Sequence, residues 1–240
     1  MTSTESGSLG PEGVNDTEAI KGLEDLLRRR HSCRGFRSDP VPREDIIQIL
    51  STAQRTASWC NAQPWQAHIV SGTRLRALQT DMIARAKTGV APSPDLDWPK
   101  EYRDIYQARR RESGWALYRA VGIAQGDREG SARQSQQNFL CFDAPHLAIV
   151  TSEAILGTHG VMDCGAWVSN FMLAATAIGV ATIAQASIAS WPDILRRHVD
   201  IPSNRYIVCG ISFGFEDTQH LANSFRTTRA SVEEMVRWVE

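Results

Sequence analysis

A stretch without a single charge, Cys164 to Ser190, is the feature that most restricts how the chain can fold. A run of that length either crosses a membrane or lies inside a protein core. Ser169, Asn170, Thr176, Gly179, Thr182 and Gln185 interrupt it with polar or helix-breaking residues, which favours the core. Gly179 stands where a helix would stop and a strand begin. The run therefore reads as a buried helix over Val161 to Ile178, followed by a buried strand over Ala181 to Ala184. A helix apolar on so many faces has more to cover than one core, and is a candidate subunit contact.

The other elements follow from hydrophobic periodicity. A helix capped by Asn15 or Asp16 carries Ile20, Leu23, Leu26 and Leu27 as an apolar stripe and ends at Arg28, Arg29 and Arg30. Pro42 opens a second helix with Ile46, Ile49, Leu50 and Ala53 inward. Strands are expected over Trp65 to Val70, Leu147 to Thr151 and Tyr206 to Phe213, with a helix from Ser71-Gly72 to about Lys87. Three prolines make residues 88–99 a loop. Helical pieces should occupy Pro99 to Arg119 and Asp127 to Phe142, carrying Tyr102, Tyr106, Trp115 and Tyr118. Arginines mixed with aromatics there suit either a lid over a flat ligand or a packed outer helix pair. Ser190-Trp191-Pro192 resembles a capped helix start, and Ser231 with Glu234 a capping box. The expected organisation is a tail over residues 1–14, too poor in apolar side chains to order itself, and one domain over 15–240 with a helical insertion at 88–142.

Several chemistries find no support. A formal net charge of -1 offers no basic field for nucleic acid. Five cysteines form no Cys-x-x-Cys pair, and the N-terminus has neither a basic start nor an apolar core, so reduced thiols in a cytoplasmic setting are expected. No phosphate-binding glycine loop, paired metal ligands or serine nucleophile elbow is present. The six histidines are scattered, and His31, His68 and His146 read as hydrogen-bonded structural residues rather than bases. With no side-chain acid–base apparatus on display, a bound cofactor is the natural carrier of the chemistry.

One stretch points to what that cofactor carries. In extended backbone, Arg30, Ser32 and Arg34 fall on one side and offer two guanidinium forks and a hydroxyl in the same direction. Planar donors of this kind match phosphate oxygens in pairs. The same arginines could also simply close a helix, where cations suit the negative end of its dipole.

Arg30-x-Ser32-x-Arg34 with Phe36, Pro40-Val41-Pro42, Ser58-x-x-Asn61-x-Gln63-Pro64-Trp65, Ala174 to Gly179 and Gly210-x-x-x-Gly214 together resemble the FMN-dependent nitroreductase family. The ordered set spans residues 20 to 238. The segment with Tyr102, Arg109 to Arg111 and Asn138 to Pro145 is similar to the branch that reduces nitroaromatic acids and related compounds. The resemblance implies an α+β, three-layer sandwich with a mainly antiparallel sheet flanked by helices, in an intertwined homodimer. It implies FMN, with NAD(P)H as electron donor and a small nitroaromatic or quinone as acceptor. Carried over by position, Arg30, His31, Ser32 and Arg34 would hold the phosphate and ribityl chain, helped by Arg226 or Arg229. Ala57, Ser58, Trp59 and Asn61 would come from the partner subunit, and Gln185, Ala186 and Ser187 would bring a backbone N–H to the flavin N5. Tyr102, Asn138 and Phe142 would lie on the substrate side. Reductive dehalogenases and flavin-cleaving enzymes of the same fold, and flavin carriers without turnover, are the alternatives; the first two need a specialised lid pattern that the segment lacks.

Overall fold

A computed structural model describes residues 16–240. The proposed tail and the Asn15 cap lie outside that range. The helices are α1 (Asp16–Arg29), α2 (Arg43–Ala53), α3 (Gly72–Lys87), α4 (Asp104–Ala120), α5 (Arg128–Gln136), α6 (Gly157–Ala177), α7 (Pro192–Val199) and α8 (Val232–Met235). The strands are β1 (Trp65–Ser71), β2 (His146–Glu153), β3 (Ala181–Gln185) and β4 (Arg205–Gly214).

The strands form one antiparallel sheet in the order β1-β2-β4-β3, which puts β2 and β4 in the middle. Alternation along these strands sends side chains to two separate cores. Leu147, Ile149 and Ile207 meet Leu75, Leu78 and Met82 of α3 and Ile194 and Leu195 of α7 on one face. Ala148, Val150, Ile211 and Phe213 meet Ile49 and Ala53 of α2 and Trp167, Phe171 and Ala175 of α6 on the other. With helices over both faces, the arrangement is the three-layer α+β sandwich that the family resemblance implied.

The uncharged run is a buried helix and strand, and among the described residues no helix is long and apolar enough to cross a membrane. Helix α6 starts at Gly157, earlier than the Val161 expected. Gly160 belongs inside it because a Cβ there would stand 2.5 Å from Ser152 Oγ, so the glycine permits close approach to β2. Gly179, at φ +79°, ends the excursion as anticipated.

Other expectations need correction. Between α3 and β2 the helices are shorter than expected: residues 99–103 are not helical, and α5 stops at Gln136. Beyond it Cys141, Phe142 and Asp143 are all left-handed, so a continuous helix to Phe142 is impossible. Helix α4 buries none of its residues. Ser190 does not cap α7; its hydroxyl donates to Ser187 O at 2.5 Å, and Trp191 occupies the cap position. Ser231 accepts the Glu234 N–H at 3.3 Å, which is one half of a capping box. The α1 stripe is not covered, because Ile20, Leu23 and Leu27 all face solvent.

Candidate active site

The Arg30–Arg34 stretch leaves α1 and runs beside the edge strand β3. Ser32 forms a parallel bridge with Thr182, and the Cys33 N–H donates to Thr182 O at 3.0 Å. Parallel alignment then carries Arg34 along with Ala184 and so towards Gln185-Ala186-Ser187, in the next turn of chain. The C-terminal segment is brought to the same place by one buried amide. Asn223 Oδ1 accepts the Arg34 N–H at 2.7 Å, while Asn223 Nδ2 donates to Gly35 O at 2.9 Å and to Asp217 O at 3.0 Å. Arg226 and Arg229 follow within two turns, and the Arg226 guanidinium is steered by a 2.7 Å bond to Asn223 O. Nothing in the residue pattern marked Asn223, an ordinary polar residue in a polar connection.

The result is a cavity of about 660 Å³ lined by Arg30, His31, Ser32, Arg34, Arg226 and Arg229, together with Ser113 and Thr227. The side-by-side presentation of Arg30, Ser32 and Arg34 is therefore present. Among the described residues none of these four arginines has a carboxylate partner. Burial pushes the Arg34 guanidinium below its ordinary pKa, and burial followed by repulsion from Arg229 does the same to Arg30. Each shift marks a charged form short of a counter-charge. A phosphate is an anion of the right geometry to supply it. His31 lies at the rim, with Nδ1 3.0 Å from Arg29 O and Nε2 3.0 Å from Glu216 Oε1.

Arg34 also lines an adjoining recess of about 390 Å³, bounded by Leu117, Tyr118, Gln134, Ser135, Asn138, Phe142 and residues Ile183 to Ser187. Ala184 and Ala186 are exposed within it, so the floor is nearly bare main chain that a flat ring system can approach. Gly210 makes room beneath: a Cβ there would stand 2.8 Å from Ile188, whose turn packs on β4. Together the two spaces offer an anion-binding end and a flat, small-residue end, which fits FMN. Tyr118 was named only among the aromatics of a possible lid, and Gln134 and Ser135 were not singled out from the sequence, since polar residues on a surface helix carry no mark of facing a cavity.

Not every expected residue converges. Ala57, Ser58, Trp59 and Asn61 line neither space within one chain. Trp59 is exposed, its ring edge-on to His159 at 3.9 Å, and its backbone N–H donates to the Asp163 carboxylate at 3.2 Å. Tyr102 also lies outside both, under Arg110. Of the three histidines, His146 is fully hydrogen-bonded, whereas His68 Nε2 is buried without a partner, contrary to expectation. No metal-binding cluster occurs among the described residues.

Comparisons with known proteins agree with this geometry. Residues 27–215 match the model of the Nitroreductase family. The chain is 32% identical to a 4-nitrobenzoate reductase of Nocardioides sp. (strain LMS-CY), over 92% of this chain and 91% of that protein. It superposes on the crystal structure of the FMN-dependent nitroreductase NfnB from Mycobacterium smegmatis in complex with NADPH with a TM-score of 0.87, at 28% identity and covering 92% of this chain and 100% of that one. For the FMN and NADPH-dependent NfnB from Sphigopyxis sp. strain HMH the TM-score is 0.86 at 31% identity, with coverage of 90% and 98%.

Proposed function

The chain belongs to the Nitroreductase family, and from that premise we propose that it is an FMN-dependent NAD(P)H oxidoreductase that reduces nitroaromatic and quinone acceptors. The observation that carries the proposal is a set of four arginines without carboxylate partners, opening onto a recess floored by Ala184 and Ala186. Bound FMN would supply what the side chains lack, the capacity to take a hydride from reduced nicotinamide and release two electrons to an acceptor.

The chain's own part is to bind and to orient. Arg30, Arg34 and one or both of Arg226 and Arg229 hold the phosphate, with Ser32 as a further donor. The backbone of Gln185 to Ser187 offers a fixed dipole to the reactive edge of the ring, a form of stabilisation that needs no titrating group. Nicotinamide and acceptor compete for the same recess, walled by Tyr118, Gln134 and Phe142, because each must come within reach of one reactive atom. They therefore enter in turn, and the cycle is ping-pong. Initial-rate plots at several fixed acceptor concentrations should give parallel lines; intersecting lines would mean a separate acceptor pocket.

The working unit we propose is a homodimer formed by a single domain over residues 15–240. Met162, Gly165, Ala166 and Ser169 form an uncharged exposed strip along α6; Trp59 meets His159 and Asp163 of the same helix, and Ala57, Ser58, Trp59 and Asn61 line neither the arginine cavity nor the recess of their own chain. In a dimer they reach the partner's site.

The protein should purify yellow. Arg34→Ala removes a buried charge-assisted contact worth roughly 1.5 to 3 kcal/mol, a ten- to hundredfold weakening of flavin binding. Retention of full flavin by this variant after dialysis would refute the phosphate assignment.

A further inference from the structure

Asn138 borders the recess where an acceptor contact was expected, yet its amide is already engaged. Oδ1 lies 3.1 Å from Ser187 Oγ and 3.4 Å from Gln185 Nε2, both of which donate to it. Nδ2 donates to Ser135 O at 3.0 Å, and the Asn138 backbone oxygen accepts from Gln185 Nε2 at 2.9 Å. Gln185 is itself buried, and its Oε1 accepts from Ser212 Oγ on β4. The left-handed run Cys141–Phe142–Asp143 lies just beyond, and such backbone persists only where its surroundings hold it in place. Gln79 helps by donating to Leu140 O at 2.8 Å.

We infer that Asn138 is a positioning residue: with Gln185, Ser187 and Ser212 it forms a relay of amides and hydroxyls that locks the Gln185–Ser187 backbone to the segment between α3 and β2. The inference rests on the reading that this backbone faces the flavin. A neutral amide suits the task because it donates and accepts at once, which a carboxylate at position 185 could not do. The groups left to recognise an acceptor are the Tyr118 hydroxyl, the Gln134 amide and the Ser135 hydroxyl. None of these makes a side-chain hydrogen bond among the described residues, so discrimination between acceptors resides there.

Asn138→Ala and the milder Ser187→Ala, in the full chain, test the relay by two measurements. In flavin-free protein, amides of residues 185–188 should exchange hydrogen about tenfold faster in either variant, the effect of losing one net hydrogen bond. The double variant should exchange no faster than Asn138→Ala alone, because both substitutions cut the same link. Unchanged exchange would overturn the relay. In the flavin-loaded enzyme, either variant should shift the flavin midpoint potential and lower kcat by a common factor for nitrobenzene and 4-nitrobenzoate, leaving the ratio of their KM values unchanged. A rise in KM for one acceptor alone, with an unmoved potential, would make Asn138 a substrate contact and overturn the inference. If the wild-type protein binds no flavin, the functional reading fails while the exchange measurement still decides the relay.

Discussion

His146 shows how much a single side chain can fix. Its Nε2 accepts the Val41 N–H at 2.9 Å, so the ring proton must sit on Nδ1, which lies 2.6 Å from Ser71 Oγ and donates to it. One neutral ring thus ties the approach to α2 to the end of β1. Burial lowers its pKa, because charging it would both desolvate a cation and break the Val41 bond. His68 shifts the same way, through burial first and then the nearby Arg205. For a base with a lowered folded pKa, the unfolded chain binds protons first as pH falls. The stability from these rings is complete above about pH 6.5 and is lost as pH drops towards the lowered values. Melting temperature should fall between about pH 7 and about pH 5, and less steeply in His146→Gln. Equal slopes would show that His146 does not titrate in this range. Side-chain facts of this kind were illegible in the sequence. Arg30, Ser32 and Arg34 could be placed on one side by strand geometry alone, but the saturation of Asn138 depends on Gln185 and Ser187, far along the chain.

The elements were mostly legible, since α2, α3, α6 and all four strands have strong periodicity or long apolar runs. The failures have local causes. Glycines at the start of α6 look like helix breakers, yet Gly160 is there to let the helix touch β2. The left-handed residues after α5 are not glycines, so nothing in their identity announces the turn. Helix α1 was read correctly as amphipathic, but among the described residues most of its stripe is uncovered: Leu26 is half-buried, while Ile20 is 51% exposed, Leu23 45% and Leu27 51%. Val232, Met235, Trp238 and Val239 near the C-terminus are exposed as well. Helices of this length are marginal in water without packing, and in the proposed dimer a second copy would cover the stripe. Sedimentation of the wild-type protein at micromolar concentration should show a dimer without folded monomer, and Leu23→Glu with Leu27→Glu should weaken association. A stable wild-type monomer that keeps its flavin would remove the shared-site model.

At the scale of the molecule, the three-layer form was legible only through the family resemblance, and the order β1-β2-β4-β3 was not legible at all, because pattern alone does not say which strands pair. The cavity is less local still: it draws on residues near 30, 118, 138, 185 and 226, held together by the Ser32–Thr182 bridge and the Asn223 amide. Only the family resemblance made that convergence expected. The two parts of the site differ in what supports them. Gln185 stands on the sheet and Arg34 beside its edge, where a change disturbs packing, whereas Tyr118 stands on α4, a helix of 17 residues with none buried. Tyr118 is half-buried rather than part of a core, and substitutions away from packed cores generally cost little folding free energy. On the proposed reading of the site, new side chains could therefore be tried over the recess without first restoring the scaffold beneath it, which would let the range of acceptors change while the proposed flavin seat stays put.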